Sequence, residues 1–520
     1  MLQQHNMAGP TTSAYSDLGL LHPSGIVIYG IIVVIFYILS QLIYNAFFHP
    51  LKHIPGPLLA RSCGVPYALH ILDGSMVTWI KKLHENYGEA VRLAPNEVSF
   101  TSGETAWPEI YGFRTGKYKN TGAYLKDLAW FPKPVNGVFS LIGSDEANHS
   151  RVRRSLAHAF SDKALRDQEQ LVQQYVDLLI HRLDEHAVEK KHVDIMRWYN
   201  YTTFDVICDL TFGEPLYCLR DSVEHKWIQL VLSSVKAFGL LSVRTKYPIF
   251  AYYDKLKNYF QDTTAIVRAR IEFFRVTKEK VTRRLEKGTD RPDFFSYIVK
   301  SQESETKAIT RDEMDSNSIL FLIAGSETTA TTLSGTTYLL LSNPTKYAKL
   351  VSEIRSKFSA ASDITVEEVN NLEYMIACLQ EGLRYYPPVP TGFPRIVPSG
   401  GDHISGRFVP AGTSVYVSQH AANHSVRNFK DPEEYVPERW LGDEQYKDDV
   451  RDVFNPFSFG PRNCLGKNLA YAEMRLILAK VLWHFDLELV DKEQDWMKDQ
   501  KVFTLWQKPS LMVNLIPVKR

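Results

Sequence analysis

The chain contains 520 residues, and its 60 lysines and arginines nearly balance its 59 aspartates and glutamates, which leaves a formal net charge of +1. A chain with balanced charges does not have the strong excess of basic residues that is typical of nucleic-acid-binding proteins, so no nucleic-acid partner is expected. With 44% hydrophobic and 23% charged residues, the chain can bury a large core, which argues against intrinsic disorder and against a polytopic membrane protein. Five sparse cysteines, at positions 63, 208, 218, 378 and 464, cannot form a disulfide scaffold and are typical of a reducing compartment.

The first predicted element is a membrane anchor near the N-terminus. Residues 25–48 contain no acidic, lysine or arginine side chain, and a helix of this length spans about 36 Å, enough to cross a hydrocarbon core of about 30 Å. A cleaved signal peptide is the alternative, but the stretch lacks a basic leader and a small-residue cleavage site. Because Lys52 and Arg61 are the first positive charges that follow, the positive-inside rule places the rest of the chain in the cytosol.

These observations divide the chain into four parts. Residues 1–23 are predicted to be a lumenal tail and residues 24–48 the transmembrane anchor. Residues 49–60 are a proline-rich hinge, since proline stops the membrane helix from continuing. No repeat or flexible linker interrupts residues 61–520, which are therefore predicted to form one catalytic domain.

The catalytic domain is predicted to be rich in helices. Apolar residues recur at helical spacing in four stretches, at residues 163–188, 227–238, 316–341 and 468–485. Strand-like segments are short and lie at residues 90–93, 98–101, 407–409 and 414–417. Prolines and glycines make residues 385–461 an ordered but irregular region. The predicted fold class is mainly α with a small β portion (α+β).

The strongest chemical signal surrounds Cys464. Five residues make the pattern F-x-x-G-x-R-x-C-x-G, and an amphipathic stretch follows at once; they are Phe457, Gly460, Arg462, Cys464 and Gly466. The free amides and the dipole of a helix N-terminus stabilise a thiolate, which is the form of cysteine that binds metals. Glycines on both sides let the backbone approach a large flat ligand closely. An inert buried cysteine is the alternative, and the extended pattern disfavours it.

This pattern resembles the haem-binding loop of the cytochrome P-450 monooxygenases. The resemblance implies that haem is the cofactor, that Cys464 is the axial thiolate ligand of its iron and that Arg462 donates to a haem propionate. It also implies that Phe457 packs by its ring near the sulfur. A thiolate ligand donates electron density that favours cleavage of the O–O bond.

A second pattern, A-G-S-E-T-T, occupies residues 324–329 inside the predicted helix 316–341. Threonine and glycine cost helix propensity, and core threonines bonded back to the preceding turn are the alternative reading. The segment resembles the family's oxygen-activation motif. By that match Ala324 and Gly325 leave room over the haem face. Glu327 and Thr328 then organise water and deliver protons to dioxygen, since a carboxyl exchanges protons and a hydroxyl both donates and accepts.

A third pattern places Glu381 and Arg384 three residues apart on one predicted helix face. An exposed pair with this spacing contributes only about 0.2–0.5 kcal/mol and indicates little by itself. Together with Pro437-Glu438-Arg439-Trp440, the pair resembles the family's E-x-x-R helix and its P-E-R-F partner. The resemblance implies a buried charge network of Glu381, Arg384 and Arg439, with tryptophan replacing the usual phenylalanine at position 440.

Two weaker matches concern the haem propionates. His149 and Arg153, four residues apart, resemble the family's C helix, in which many relatives have tryptophan in place of His149. Arg395 follows Pro394, where the family often has another propionate-binding arginine. A solvated basic face is the alternative in both cases.

The motifs follow the family's order over nearly the whole chain, which predicts a haem-dependent monooxygenase that inserts one oxygen atom of O2 into an apolar organic substrate. No flavin or nicotinamide fingerprint is present, so electrons are expected from NADPH through a separate reductase, with a cytochrome b-type protein as a possible further donor. The reductase is expected to dock on Lys467 and residues 151–154. The anchor predicts a single-pass protein of the endoplasmic reticulum membrane. Residues 148–154 and 454–460 look most like filamentous-fungal members that tailor secondary metabolites, such as trichothecene or polyketide hydroxylases.

Two other functions stay open. One is a haem-thiolate isomerase or dehydratase that does not use O2, and the other is a non-catalytic haem sensor or carrier; the Glu327–Thr328 pair argues against both. A zinc hydrolase is not expected, because His420 and His424 lack the adjacent glutamate and are predicted to lie outside a helix. Substrate contacts are expected from the aromatic-rich segments 112–141, 217–247 and 389–393, and from Ala324.

Overall fold

The computed structural model describes residues 23–119, 121–131, 133–247, 264–288, 291–301 and 308–519. The predicted lumenal tail lies outside these residues, apart from Pro23. The apolar stretch forms the helix Pro23–Ile43, which continues as a π-helical turn over Tyr44–Phe48. Its large apolar side chains are exposed almost throughout, and the segment Gly25–Phe48 has a mean hydropathy of 2.6. This helix is therefore a candidate membrane anchor.

The helix Lys226–Lys246 also passes the length and hydropathy test for a membrane span, with a mean hydropathy of 1.2. Unlike the N-terminal helix, it packs against Val65–Asp73 and Thr264–Glu286, and Trp227 and Val243 are buried. An apolar helix whose residues are buried against neighbouring helices is typical of a protein core. We therefore assign it to the body of the protein.

The predicted hinge packs tightly on the body. Leu51 and Ile54 are fully buried, and the Pro55 carbonyl accepts a hydrogen bond of 2.8 Å from the amide of Arg92. The Arg92 guanidinium in turn donates to the carbonyl of Asn45 at 2.8 Å, just before the connector. These contacts hold the end of the N-terminal helix against the first sheet.

Helices make up most of the body, and the four predicted helices are confirmed, although the helix predicted at 227–238 continues for two more turns, to Lys246. The central helix, Arg311–Leu341, starts five residues before the predicted residue 316. The prediction missed its first turn because that turn is polar and shows no apolar periodicity. Thr310 and Glu313 form a capping box at its start. The other α-helices of the body are Leu58–Ser62, Val65–Asp73, Met76–Tyr87, Gly103–Tyr111, Glu146–Ala157, Asp162–Val188, Ile195–Phe212, Cys218–Asp221, Lys226–Lys246, Thr264–Glu286, Phe294–Ser301, Pro344–Lys357, Glu373–Tyr385, Gln419–Asn423 and Lys467–His484.

The strands are short, and the four predicted strands are confirmed to within a residue. The largest sheet has the strand order Ala90–Ala94, Glu97–Phe100, Ser414–Val417, Arg395–Ile396 and Leu125–Lys126. A second sheet has the order Val193–Asp194, Met512–Pro517 and Phe485–Leu489. The strand pairs Asp402–Ile404 with Arg407–Val409, and Lys501–Phe503 with Leu505–Gln507, form two-stranded sheets. In the largest sheet Lys126 pairs with Arg395, which places two cations side by side.

The central helix crosses the middle of the core. It packs against Ile195–Phe212, Glu373–Tyr385 and Lys467–His484. Gly325 permits the first of these contacts, because a Cβ at this position would lie 2.6 Å from Cδ1 of Ile207. The helix therefore has neighbours on several sides, and different positions along it face different cavities.

Candidate active site

The loop that carries Cys464 is shaped by its own backbone. The amide of Cys464 donates to the carbonyl of Phe457 at 2.8 Å, and the following helix begins at Lys467 with Gly466 as its N-cap residue. Gly460 has φ +74°, and a Cβ there would lie 2.0 Å from the carbonyl oxygen of Tyr111, so only glycine fits. The loop holds the Cys464 side chain toward a cavity that lies beneath the central helix.

The environment of Cys464 acts on its acidity in two directions. The Cys464 side chain is exposed to the cavity, but the protein atoms around it still desolvate the thiol and raise its pKa. A hydrogen bond from Gly466 and the positive charges of Arg153 and Lys467 lower the pKa, but they do not outweigh the burial. The helix terminus and the nearby cations therefore favour the thiolate only in part, and a metal cation ligated by the sulfur would favour it further.

Positive charge gathers along one side of this cavity. Four basic side chains line it, namely Lys126, His149, Arg153 and Arg462. Arg395 lies behind them and is buried, with no hydrogen-bond partner for its Nε and Nη1 atoms within the described part of the chain. Unpaired buried donors of this kind indicate that a ligand with acceptor oxygens belongs here. The two carboxylates of haem fit that requirement.

The pKa shifts in this cluster have a common cause. Burial and then the charges of Arg395 and Arg462 hold the pKa of Lys126 well below its ordinary value. Burial, followed by Arg462 and Arg153, lowers the pKa of His149 to about 3. Burial lowers the pKa of Arg395 to about 10. The cluster is therefore short of negative charge, and a dianionic ligand would restore the balance.

Not every predicted propionate ligand points freely into the cavity. Arg153 donates to the Asn463 carbonyl at 2.7 Å and to its side-chain oxygen at 2.5 Å, so it supports the cysteine loop from the helix Glu146–Ala157. Arg462 donates to the carbonyl of Ser144 at 2.8 Å. Lys126 was not predicted, because a lysine in a two-residue strand carries no sequence signal; only the pairing with Arg395 brings it here.

The central helix presents Ala324, Gly325 and Thr328 to the same cavity. The Thr328 hydroxyl donates to the Ala324 carbonyl at 2.6 Å, so the alternative of a threonine bonded back to the preceding turn holds in part. Gly325 has a second role that differs from the predicted one, since the missing Cβ makes room for Ile207 as well as for a ligand.

Glu327 faces a different cavity, which we call the polar cavity because the charged residues Asp194, Arg197, Glu224 and Lys236 border it. Its carboxylate forms an ion pair of 2.7 Å with Lys508, whose ammonium also donates to the hydroxyl of Thr331 at 2.7 Å. Both charged side chains are buried, and the Oε1 atom of Glu327 has no hydrogen-bond partner within the described residues. Successive residues of a helix lie about 100° apart, so Glu327 and Thr328 do not meet in one cavity.

Glu381, Arg384 and Arg439 are brought together in a fully buried network. Arg384 donates to both carboxylate oxygens of Glu381, at 2.8 and 2.9 Å, and Arg439 donates to Oε1 at 3.1 Å. Two partners were missed by sequence reasoning. Trp440 donates its indole N–H to Glu381 at 2.9 Å, and Asp449 accepts from Arg439 at 2.5 Å. Tryptophan at position 440 therefore adds a hydrogen bond that phenylalanine cannot make.

A second lobe, the apolar lobe, opens from the cysteine cavity past Ala324 and Thr328. Its walls come mainly from aromatic and aliphatic side chains, including Trp130, Phe131, Phe139, Phe238, Phe273 and Phe393. The predicted contact segments 112–141, 217–247 and 389–393 each contribute to it. The helix Thr264–Glu286 and the turn at Thr504 also line it, and neither was predicted because their cavity-facing residues are scattered.

The histidine pair His420 and His424 differs in part from its prediction. His420 lies in the short helix Gln419–Asn423, so the prediction that both histidines lie outside a helix is wrong for His420. Burial lowers the pKa of both side chains. Within the described residues, no group of three or more His, Cys, Asp and Glu side chains could hold a metal ion.

The predicted reductase face also differs from its prediction. Arg151 is paired with Glu313 at 2.5 Å, whereas Arg154 and Lys467 are exposed.

Comparison with known proteins agrees with this geometry. The cytochrome P450 family model matches residues 63–515. The chain is 48% identical to the cytochrome P450 monooxygenase lcsI of Purpureocillium lilacinum, with 93% of each chain covered. It is 48% identical to the cytochrome P450 monooxygenase traB of Penicillium crustosum, over 94% of this chain and 96% of the relative. It is 42% identical to the cytochrome P450 monooxygenase aclL of Aspergillus oryzae, over 95% and 98%.

Proposed function

The chain belongs to the cytochrome P450 family, and we propose that it inserts one oxygen atom of O2 into an apolar substrate held in the apolar lobe. The observation that carries this proposal is the arrangement around one cavity, which is lined by Cys464, by Ala324 and Thr328 of the central helix, and by the basic side chains Lys126, His149, Arg153 and Arg462. We infer that Cys464 binds the haem iron, and that Arg395, Arg462, Lys126 and His149 hold the propionates.

Haem bound in this cavity supplies the binding and reductive activation of O2. The residues of the chain then have separate tasks. Phe457 and the backbone of the Cys464 loop pack beside the sulfur. The ring centroids of Phe457 and Tyr471 lie 5.0 Å apart. The apolar lobe excludes water and orients the substrate against Ala324. The network around Glu381 contacts the segment that leads into the loop, because its member Trp440 packs on Phe454 with the ring centroids 4.6 Å apart.

Thr328 and Glu327 are the proposed proton donors. The Thr328 hydroxyl borders both lobes and can pass a proton to the reacting oxygen. Glu327 lies on the polar cavity, which is also bordered by the charged residues Asp194, Arg197, Glu224, Lys236 and Lys508. We infer that protons enter on that side, and that Lys508 positions the Glu327 carboxylate before it delivers them toward Thr328.

We extend the proposal to the cellular setting on the strength of the relatives and the candidate anchor. The protein is proposed to reside in the endoplasmic reticulum membrane, to receive electrons from an NADPH-dependent reductase, and to act in a fungal secondary-metabolite pathway. Arg154 and Lys467 are exposed near the cysteine loop and are proposed contacts for the reductase.

Metabolite profiling with and without the gene should first identify the substrate. The full-length protein, combined with a fungal reductase, NADPH and ¹⁸O₂, should then produce a product that contains one labelled oxygen. Conversion of the substrate that needs neither NADPH nor O2 and leaves no label in the product would falsify the monooxygenase proposal and favour the isomerase or dehydratase. Haem binding with no turnover of any metabolite would favour the sensor or carrier.

Two variants test the assigned residues separately. Cys464→Ser should lose the red-shifted Soret band of the reduced carbonyl complex, whereas Cys378→Ser, a buried cysteine far from the cavity lining, should keep it. Thr328→Ala should bind haem normally but release peroxide in place of product. Thr336→Ala, on the same helix but outside the cavity lining, is the matched control. Equal coupling in the two threonine variants contradicts the role of Thr328.

A further inference from the structure

The apolar lobe contains one charged side chain among its described lining residues, and that side chain is Arg270. The rest of the lining is aromatic, aliphatic or neutral polar, and it includes no carboxylate. Arg270 comes from the helix Thr264–Glu286, is half-buried, and lines the apolar lobe but not the cysteine cavity.

Arg270 is only partly used by the protein itself. Of its five N–H donors, the hydrogen bonds within the described residues use one, from Nη2 to the carbonyl of Lys133 at 2.7 Å. Burial lowers the pKa of Arg270, and no acidic side chain of the described residues offsets that effect. A half-buried guanidinium at the wall of an apolar cavity, with most of its donors unused by the described residues, suits an anionic partner, because partial desolvation of an unpaired charge is costly.

The haem propionates are not that partner. Their proposed ligands, which include Lys126 and Arg462, line the cysteine cavity, whereas Arg270 lines only the apolar lobe. The two lobes meet at Ala324 and Thr328. A molecule whose anionic end lies on Arg270 therefore extends its opposite end toward Thr328 and the proposed site of oxidation.

We propose that the substrate of this enzyme is an apolar carboxylic acid whose carboxylate binds Arg270, so that oxidation occurs at a carbon remote from the acid. The inference rests on the proposed function for the identity of the cavity as a substrate site. Arginine suits this role because its planar fork binds both oxygens of a carboxylate. The aromatic walls accommodate the apolar body, and the polar rim made by Asn136, Ser140 and Thr504 can bind water or a second oxygen function.

The test is a binding measurement on the haem-loaded, full-length protein and needs no reductase. Dodecanoic acid and naphthylacetic acid, each beside its methyl ester, are titrated by calorimetry and by the change in the Soret band. The wild-type protein should bind at least one of the acids about tenfold more tightly than its ester, which is the effect expected of a charge-assisted hydrogen-bond pair. No preference for either acid over its ester overturns the proposal.

Three variants assign that preference to Arg270. Arg270→Gln should remove the preference and leave the affinity for the ester unchanged, while Arg270→Lys should retain part of it because the charge remains. Arg268→Gln removes the same charge from an exposed position on the same helix and should behave like the wild type. The carbonyl-complex spectrum verifies that each variant is folded.

The outcomes separate the possible roles of Arg270. A preference that persists in Arg270→Gln overturns the proposal, as does an equal loss of affinity for acid and ester, which indicates that Arg270 only fixes the loop at Lys133. Failure of the monooxygenase assignment would appear differently, as acid binding that Arg270 controls but that leads to no labelled product.

Discussion

Among the buried ion pairs of the described residues, those of Glu381 and Glu327 are built in different ways. Glu381 lies between Arg384 and Arg439, and both of its oxygens accept hydrogen bonds from arginine, tryptophan and a backbone amide. Glu327 has a single cation, Lys508, and one of its oxygens has no partner among the described residues. A carboxylate whose two oxygens are both bonded is held firmly, whereas one with an unbonded oxygen beside a cavity is held less firmly. The difference sets the structural charge of Glu381 apart from Glu327, for which we propose a role in proton delivery.

The largest effect should come from Glu381→Ala. This change leaves two buried arginines without their shared carboxylate, at a cost of about 3–5 kcal/mol in the free energy of unfolding. We expect little haem-loaded protein, measured as the carbonyl-complex spectrum per milligram of chain. Glu444→Ala is the control, because that glutamate is 85% exposed in its pair with Lys447 and should contribute about 0–1 kcal/mol. Equal yields from the two variants would show that the network is dispensable.

Lys508→Met should have a smaller effect on stability. It leaves the Glu327 carboxylate without its cation, but the polar cavity borders that carboxylate, so the expected loss is about 1–3 kcal/mol by urea unfolding. Lys498→Met removes an exposed lysine from the same C-terminal region and should change little. The double variant with Glu327→Gln should recover most of the loss. A double variant as unstable as the sum of its parts would mean that the two residues act independently.

Glu473 is another buried glutamate, and no cation of the described residues is paired with its carboxyl. Glu473 lines the cysteine cavity, is 3% exposed, and has no hydrogen-bond partner among the described residues; burial raises its pKa to about 8. Between the ordinary pKa of glutamate and about 8, the unfolded chain releases its proton while the folded chain retains it. Stability should therefore fall as pH rises through this range.

Urea unfolding at pH 6 and pH 8 measures this effect. The wild type should lose about 1–2 kcal/mol more than Glu473→Gln over that interval, because glutamine cannot ionise. Glu444→Gln changes an exposed glutamate and should retain the wild-type slope. An unchanged slope in Glu473→Gln would show that this carboxyl finds a partner that keeps its pKa low.

The smallest change in stability should come from Glu327→Gln. The amide oxygen can still accept from Lys508, so the free energy of unfolding should change by less than about 1 kcal/mol. Product formation per NADPH should nevertheless fall, because an amide cannot carry the proton that we assign to this side. Glu381→Gln gives the matched contrast, since it weakens a carboxylate that two arginines share. If Glu381→Gln is no more destabilising than Glu327→Gln, the distinction between the two sites is wrong.

Sequence patterns predicted the elements that carry the chemistry. The cysteine loop consists of consecutive residues, so its pattern can be recognised without knowledge of the fold. The apolar periodicity of the central helix can be recognised in the same way. The periodic signal missed the first turn of that helix and the one-turn helix at His420, because a polar or very short segment shows no repeat. Lys126 and Arg270 carry no signal of their own, since each is a lone cation in an ordinary stretch.

By itself the sequence determined the family resemblance, the mainly helical class, and the candidate residues that lie within a few positions of one another, as in the cysteine loop and the Glu381–Arg384 pair. Only the tertiary structure decided which cavity each residue faces. It separated Glu327 from Thr328, joined Lys508 to Glu327 across 181 positions, and brought Lys126 beside Arg395. The physical reason is that helical rotation determines only which side chains share a face, whereas the cavity or strand that this face meets depends on packing and pairing between residues far apart in the chain.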